Sequence, residues 1–388
     1  MSLQSDMEIT FVIPKPWGDE DQSFLHLIGA CNVPVVWRDV DWHYVNDRIG
    51  SKMHPDEYYQ LRDGIKYDFH RIWTNDLGCV DFRYPDNLLE EISNYEAVAS
   101  VIAHSRDFDV IHAHDWLTYP AGRFAKQISG KPLVIHVHAT DYDRSRGQVN
   151  PDVYRIEKEG MDAADHIITV SNLTRNTVIE KYHQHPDKVT TVHNAVEPLE
   201  FINELHKSER TDKLVTFLGR ITMQKGPEYF VEVASRVLQH TDGVRFVMAG
   251  SGDMMDKMIR LVAQRGIADK FHFTGFLKGR GVYEMLAESD VYMMPSVSEP
   301  FGISPLEAMQ CGTPSIISKQ SGCAEILDHA IKTDYWDIAA MADYIHAIVK
   351  YPAMYKALRQ NGLDEVNAIT WEIAGQKVRR IYDMVCGR

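Results

Sequence analysis

Short apolar runs rich in β-branched residues alternate with longer amphipathic stretches along this chain, and this alternation constrains the fold more than any other feature. The runs are continuously apolar, as expected for strands that are buried on both faces of a sheet. The amphipathic stretches between them indicate helices that cover those faces. The series stops once and then restarts, so the sequence predicts an α/β protein with two doubly wound, Rossmann-like domains.

The predicted elements follow this pattern in both halves of the chain. The predicted strands are Glu8–Ile13, Val33–Trp37, Asp109–His112, Leu133–His138, His166–Val170, Leu214–Leu218, Val244–Ala249, Phe271–Thr274, Val291–Met294 and Pro314–Ile317. The predicted helices are Asn87–His104, Ala121–Ser129, Val153–Ala164, Leu173–Tyr182, Pro227–Gln239, Met254–Arg265, Gly281–Glu288, Pro305–Gln310, Ala324–Leu327, Ala339–Lys350 and Trp371–Val385.

The chain has 388 residues, more than one hydrophobic core usually serves. A charged stretch without strand character covers 196–213, and the strand–helix series resumes directly after it. This stretch is either a solvated loop within one domain or a linker, and the restart of the series favours a linker.

Composition excludes several classes of partner. A net charge of −14 argues against nucleic acid, because phosphate backbones require a basic surface. The five cysteines form no C-x-x-C pair, so neither a zinc knuckle nor a disulfide framework is expected. No apolar run is long enough for a transmembrane segment, and the first residues lack the pattern of a signal peptide. A cytoplasmic location fits these observations best.

Two glutamates flank a glycine and a helix start after the predicted strand Val291–Met294. Gly302 permits close backbone approach, and Ser304 is predicted to be the N-cap of the next helix. Glu307 then stands where a capping box places its glutamate, so spacing alone favours a structural role over a ligand role. Glu299 has no such structural role and is free to face a ligand.

A loop with two cations follows the predicted strand Leu214–Leu218. Arg220 and Lys225 in this loop are suited to neutralising two phosphates, although a solvated surface loop is equally compatible with the pattern. Gly250 begins a second glycine-containing turn at the same sheet edge. It does not begin a dinucleotide fingerprint, because Met255 occupies the last glycine position. We therefore exclude a hydride-transfer enzyme.

Histidine pairs end two predicted strands in the first half of the chain: His112 with His114, and His136 with His138. Spacing of two residues directs both members of a pair to one side of the sheet. Metal ligation and hydrogen bonding are both open to such residues, and we expect no metal ion because strand-end histidines usually satisfy hydrogen bonds. We interpret one or two of them as partners of sugar hydroxyls. The loop 144–146 is interpreted as a solvated basic loop, with contact to an acceptor as the alternative.

Several of these segments resemble retaining, GT-B-fold glycosyltransferases of family 4, with further likeness to glycogen and starch synthases. The resemblance covers most of the chain and is strongest over 213–328. It rests on the spacing Glu299-x7-Glu307, on Gly219-Arg220 with Lys225-Gly226, on Val192–Val196 with Ala195 in place of glycine, on Ala163–Ser171, and on His114-Asp115-Trp116 with Val137-His138.

The resemblance implies roles for individual residues. It implies that Arg220 and Lys225 hold the donor diphosphate, Glu307 bonds the ribose, Glu299 bonds the donor sugar and His138 lines that sugar. Catalytic roles are thereby implied for His138, Glu299, Arg220 and Lys225. The implied donor-binding set adds Gly250, Gly302, Ile303 and Ser304, and the implied acceptor-side residues are His114 and Asp115.

The resemblance also implies a domain scheme. It gives an acceptor-side domain over 1–200 and a donor-binding domain over 211–370, facing a cleft, with a helix over 371–388 that crosses back to the first domain. One departure concerns the glycine-rich loop that follows the family's first strand. Pro14–Glu20 follows the first strand here and is not glycine-rich, so the first domain is expected to lack its first βα unit.

The function implied is transfer of a hexosyl group, with a glucosyl group favoured, from an ADP- or UDP-linked sugar to a carbohydrate acceptor such as an α-glucan. The reaction is expected to retain anomeric configuration and to need neither a metal nor another cofactor. Besides a structural interaction protein that binds no nucleoside diphosphate, which is the weakest alternative, two others stay open. One is a sugar phosphorylase or epimerase of the same architecture, which the cation and glutamate set disfavours. The other is a catalytically silent or truncated nucleotide-sugar-binding protein, which the missing glycine-rich loop favours.

Overall fold

The computed structural model describes residues 7–18, 20, 22–23, 25–34, 59–62, 65–68, 79, 88–205 and 207–388. Residues 1–6, most of the predicted strand Val33–Trp37 and residue 19 of the loop Pro14–Glu20 lie outside the described residues. The expectation of a missing first βα unit therefore stays a prediction.

Two small sheets come first along the chain. Strand β1 (Thr10–Ile13) pairs in parallel with β2 (His26–Gly29), in register from Thr10 opposite His26. Strand β3 (Tyr59–Arg62) pairs antiparallel with β4 (Ile65–Asp68). Helix α1 (Leu88–Ser105) follows.

A parallel series then begins. Its elements in chain order are β5 (Ile111–His114), α2 (Tyr119–Ser129), β6 (Leu133–Val137), α3 (Asp141–Arg144), α4 (Pro151–Ala163), β7 (His166–Thr169), α5 (Asn172–Lys181) and β8 (Val189–Thr191). The strands form a sheet in the order β5-β6-β7-β8, and every side chain of β6 is buried. Full burial explains the continuous apolar sequence of this strand.

The second series builds a larger sheet. Its elements in chain order are β9 (Lys213–Leu218), α6 (Pro227–Leu238), β10 (Val244–Ala249), α7 (Met255–Gln264), β11 (Phe271–Gly275), α8 (Arg280–Glu288), β12 (Val291–Met294), α9 (Ser304–Gln310), β13 (Ser315–Ser318) and β14 (Ile331–Thr333). The order β11-β10-β9-β12-β13-β14 and the parallel registers define a doubly wound sheet.

Three helices complete the chain: α10 (Ile338–Lys350), α11 (Pro352–Val366) and α12 (Trp371–Val385). Pro352 occupies the first helical position of α11, where its missing N–H costs no hydrogen bond. Among the described residues, none of the helices is both long and apolar enough to cross a membrane.

The predicted elements agree closely with the structure in the second half. Strands Val244–Ala249 and Val291–Met294 and helix Trp371–Val385 have the predicted bounds. The structure corrects other predictions. Strand Asp109–His112 is shifted two residues along the chain, and Ala324–Leu327 is a 3-10 helix over Gly322–Glu325. The sequence analysis missed β2, β3, β4, β8, β14, α3 and α11. The five strands and α3 have only three or four residues each, and α11 has a polar, weakly amphipathic sequence.

Contacts divide the chain into two compact units. The first contains residues 1–137, 155–168 and 378–388, and the second contains 138–154 and 169–377. The predicted domain limits 1–200, 211–370 and 371–388 stay a prediction. The core of the second unit is formed by fully buried side chains on both faces of its sheet, including Val215, Phe230, Phe246, Tyr292 and Leu306. This packed sheet is the scaffold on which the candidate site is built.

Candidate active site

The candidate site lies at the carboxyl ends of β9, β10 and β12, within the second unit. These strands are neighbours in the sheet and run in parallel, so the loops that follow them share one edge. Arg220 and Lys225 follow β9, Gly250 follows β10, and Glu299 follows β12. Open α/β sheets bind their ligands at this edge.

Two glycines bring the first two of these loops into backbone contact. Gly219 and Gly250 have φ angles of +152° and +142°, which side-chain-bearing residues rarely adopt. A Cβ on Gly250 would lie 1.8 Å from the carbonyl oxygen of Gly219. The backbone that carries Arg220 therefore lies directly against the turn after β10, and only glycine fits at position 250.

Lys225 and Glu299 form an ion pair between the Nζ and Oε2 atoms. Lys225 ends a 3-10 helix over Met223–Lys225, and Gly226 follows with a φ angle of +62°. The Lys225 side chain is 20% exposed and the Glu299 side chain 8%. The structure thus brings together two residues that the sequence analysis identified separately.

Glu299 is fixed through its backbone as well as its side chain. Its N–H donates to the carbonyl of Gln320 at 2.9 Å, and its carbonyl accepts from the N–H of Gly322 at 2.9 Å. The hydroxyl of Ser296 donates to Glu299 Oε2 at 3.3 Å. Glu299 is therefore a buried residue, 6% exposed, and its expected role toward a ligand stays a prediction.

The start of helix α9 differs from the predicted capping box. The helix begins at Ser304, so Ile303 holds the N-cap position and no side chain caps the helix. Gly302 precedes it with a φ angle of +93° and lies beside Glu299 and Met294. Because the chain enters the helix one residue earlier than predicted, Ser304 is not the N-cap and the carboxylate of Glu307 is not used for capping.

Glu307 is half-buried and has one side-chain partner among the described residues. The hydroxyl of Tyr283 donates to Glu307 Oε1 at 3.4 Å. Burial raises the pKa of Glu307, and the bond from Tyr283 opposes this only in part. A carboxylate held in this way gains stability when further donors, such as a pair of hydroxyl groups, reach it.

Arg220 is exposed, and its guanidinium makes no ion pair with any residue that the structure describes. Its carbonyl accepts from the N–H of Thr222 at 3.0 Å, which fixes the backbone of the loop. An exposed guanidinium on a fixed backbone is available to an incoming anion.

The residues after β6 are bound to the segment after β12, and the sequence analysis did not identify this contact. The hydroxyl of Ser298 donates to Asp143 Oδ1 at 2.6 Å, and Asp143 Oδ2 accepts from the N–H and hydroxyl of Thr140, each at 2.8 Å. Thr140-x-x-Asp143 is a capping-box signal that the sequence contained, whereas nothing in the sequence indicated Ser298. His138, half-buried, is at the start of this bound segment.

Arg146 is not the solvated residue that the sequence predicted. Its guanidinium donates to the carbonyl of Met223 and pairs with Glu228 Oε1 at 2.9 Å. Met223 belongs to the same 3-10 helix as Lys225. The basic loop therefore supports the segment that carries Lys225.

The acceptor-side residues His114 and Asp115 lie in the first unit, at the end of β5. His114 is exposed and is in register with His136 of β6. Asp115 has a φ angle of +58°, and its N–H donates to the carbonyl of His136 at 3.0 Å. Such a conformation is uncommon for a residue other than glycine and occurs often at functional sites.

Two family models match successive parts of the chain. The model for Glycosyltransferase Family 4 matches residues 56–198, and the model for Glycosyl transferases group 1 matches residues 200–364. The second match includes every residue of the candidate site in the loops after β9, β10 and β12.

Glycosyltransferases from other organisms are similar to this chain in sequence. An uncharacterized glycosyltransferase of Methanocaldococcus jannaschii is 34% identical over 58% of this chain, and the chain spans 61% of that relative, less than two thirds of its length. A glycogen synthase of Mycobacterium tuberculosis is 26% identical over 71% of this chain and 68% of its own.

Solved structures share the fold. HepE of Anabaena in complex with UDP and glucose superposes with a TM-score of 0.64 at 18% identity, covering 77% of this chain and 84% of that chain. Sucrose-phosphate synthase of Thermosynechococcus elongatus gives a TM-score of 0.69 at 19% identity, covering 87% and 88%. With both family models matched and this fold, the chain belongs to the group 1, family 4 glycosyltransferases of the GT-B fold.

Proposed function

We propose that this chain transfers a hexosyl group from a nucleoside-diphosphate sugar to a carbohydrate acceptor, with retention of anomeric configuration and without a metal ion. The ion pair of Lys225 with Glu299, at the sheet edge that also carries Arg220, supports this proposal. The donor carries a diphosphate beside a sugar. The cation suits the diphosphate, and the carboxylate next to it suits the sugar hydroxyls.

Lys225 and Glu299 change partners when such a donor binds. The ammonium group of Lys225 turns to a phosphate oxygen, and the carboxylate of Glu299 accepts from sugar hydroxyls. Neither buried charge is left without a partner in this exchange, which keeps its free-energy cost low. Arg220 adds a second cation for the diphosphate, and Glu307 accepts from the ribose hydroxyls.

The chemistry requires stabilisation of the departing diphosphate. Negative charge grows on its oxygen as the bond to the sugar breaks, and preorganised cations stabilise that charge. Lys225 and Arg220 are the cations for this charge, and the positive end of the dipole of helix α9 adds to their effect. His138 is the proposed partner of the sugar, and His114 and Asp115 are the proposed partners of the acceptor.

A glucosyl donor is favoured, linked to UDP or ADP. One similar structure contains UDP and glucose, and one relative is named a glycogen synthase. We propose an α-glucan as the first acceptor to test.

The test measures nucleotide release from UDP-glucose and ADP-glucose, with and without a maltooligosaccharide. Acceptor-dependent release supports transfer, and proton NMR of the first product reports whether the new linkage is α, as retention requires. Unchanged rates after treatment with a chelator support a metal-independent reaction. Donor binding without release under all these conditions would instead support the catalytically silent protein.

A further inference from the structure

Three histidines of the first unit lie on one face of the sheet. His112 and His114 are two residues apart on β5, so their side chains leave the strand on the same side. His136 on β6 is in register with His114 and therefore points to that side too. The ring centroids lie 4.3 Å apart for His112 and His114, and 5.2 Å apart for His114 and His136.

We propose that His112, His114 and His136 bind one divalent transition-metal ion of the zinc class. One ring nitrogen from each histidine lies within 4.8 Å of the others. Ligands of a tetrahedral zinc ion at about 2.1 Å stand about 3.4 Å from one another. Small rotations of the imidazoles close this difference, since the terminal torsion of histidine is broad.

Tyr382 orients one of the three histidines by a hydrogen bond. Its hydroxyl is hydrogen-bonded to His112 Nδ1 at 2.5 Å, which assigns metal binding on this residue to Nε2. The hydroxyl oxygen of Tyr382 accepts this hydrogen bond from Nδ1–H when Nε2 is the metal-binding nitrogen. Histidine ligands of metals are commonly oriented by a second hydrogen bond of this kind.

The three imidazole ligands determine which metal ions the site prefers. Three imidazoles without a carboxylate suit Zn²⁺, Co²⁺, Ni²⁺ and Cu²⁺, and they suit Mg²⁺ and Ca²⁺ poorly because those ions require oxygen ligands. Three protein ligands leave a fourth position for water. The ion would fasten the ends of β5 and β6, from which Asp115 and His138 continue, and it would take no part in the chemistry of transfer. With a ring nitrogen on the metal, His114 would serve as a ligand in place of the acceptor contact proposed above. This assignment replaces the expectation from the sequence that these histidines serve only as hydrogen-bonding groups.

Zinc binding by the metal-free protein tests the site directly. Titration of Zn²⁺ in competition with a chromophoric chelator should show one tight site per chain, and Co²⁺ should give visible absorption typical of a four-coordinate ion. His114→Ala, which alters an exposed residue, should abolish tight binding. Tyr382→Phe should weaken it by about 10–100-fold while the stoichiometry stays at one.

A matched control comes from another histidine. The side chain of His185 is 74% exposed and lies in the second unit, so His185→Ala should bind Zn²⁺ as the unchanged protein does. His136→Gln provides a second variant of the site, and circular dichroism confirms that each variant is folded. Folded His114→Ala and His136→Gln proteins that retain the tight site would overturn the proposal, as would the absence of a tight site in the unchanged protein. Neither result depends on whether the chain transfers sugar.

Discussion

Lys225 and Glu299 are in contact although 74 positions separate them in the sequence. The two residues lie in the loops that follow neighbouring strands, β9 and β12, whose parallel pairing brings these loops to one edge of the sheet. Both side chains are largely buried, with 20% of Lys225 and 8% of Glu299 exposed, and this contact is the ion pair that the described part of the chain gives to each of them. Their effects on stability and on activity can therefore be separated by mutation.

Replacing Lys225 alone should damage both properties. Lys225→Ala leaves the carboxylate of Glu299 buried without its cation, and we expect a loss of roughly 3 kcal/mol in the free energy of unfolding. Transfer should fall by about 10²–10³ because one preorganised cation is lost. Chemical denaturation and steady-state kinetics measure the two effects.

The double variant Lys225→Ala with Glu299→Gln is the control for this experiment. It removes both charges, so it should recover most of the stability while transfer stays low. Recovery of activity together with stability would show that Lys225 acts through folding and not on the diphosphate.

Glu307 should lower the stability of the fold at neutral pH while it strengthens binding of the sugar donor. Its raised pKa means that its stabilising contribution is full below the pKa of the unfolded chain and is lost as the pH rises through the folded value. At neutral pH the buried carboxylate therefore weakens the fold. Glu307→Gln should raise the melting temperature there and weaken donor binding by about 10–100-fold, the range for hydrogen bonds to a charged group. Calorimetry gives both quantities, and unchanged donor affinity would exclude the ribose role.

Gly250 should tolerate no side chain. Gly250→Ala places a Cβ against the carbonyl of Gly219 in a strained conformation, and we expect a destabilisation of roughly 3 kcal/mol or more with displacement of the loop that carries Arg220. Gly243 is a matched control, because its φ angle is +68° but nothing lies within 4 Å of its added Cβ. Gly243→Ala should cost only about 1 kcal/mol. Equal losses in the two variants would contradict a role for the contact.

The bond from Ser298 to Asp143 should matter for transfer more than for folding. Ser298→Ala removes one donor to a buried carboxylate that keeps its bonds from Thr140, so the fold should survive. Because the freed segment carries His138, transfer should fall about tenfold or more. Ser208→Ala is the control, since it removes a similar bond to Glu288 at an exposed position. A double-mutant cycle with Asp143→Asn should show coupling of about 1–3 kcal/mol.

Glu325 should govern stability in acid. Burial tends to raise its pKa, but bonds from His193 and from the N–H groups of Asn172 and Leu173 outweigh burial and lower it. Its contribution is therefore present above the unfolded pKa and is lost as the pH falls through the folded value. Glu325→Gln should lower the melting temperature at neutral pH and flatten its decline in acid. The exposed variant Glu284→Gln should leave this decline unchanged.

The sequence predicted five of the six strands of the second sheet, because most of their residues are apolar and buried, and it missed the three-residue strand β14. Residue type and position after a strand also gave Arg220, Lys225 and Glu299 as candidates, and the structure places their loops at one sheet edge. Spacing alone favoured a structural role for Glu307, and the functional roles of all four residues stay predictions. The sequence did not predict α11, whose residues show little separation of polar and apolar faces. The local sequence pattern is clear for the buried strands, and it is weak for helix α11.

Contacts between distant residues could not be predicted in the same way. Nothing in the local sequence of Ser298 indicates a bond to Asp143, 155 positions earlier. The start of α9 was predicted one residue late, since Ser304 and Pro305 form a good capping sequence in isolation. Packing around Gly302 and Glu299 determines the residue at which α9 begins. Residue spacing alone does not predict such tertiary packing.

The contact of Gly219 with Gly250 restricts how this region can vary by mutation. A side chain that clashes with another side chain can be relieved by a smaller neighbour, but the group opposing position 250 is a main-chain carbonyl. No single substitution at position 219 removes that carbonyl. Second-site suppressors of a Gly250 variant must therefore shift the backbone of a whole loop, and a genetic selection should return true revertants far more often than suppressors.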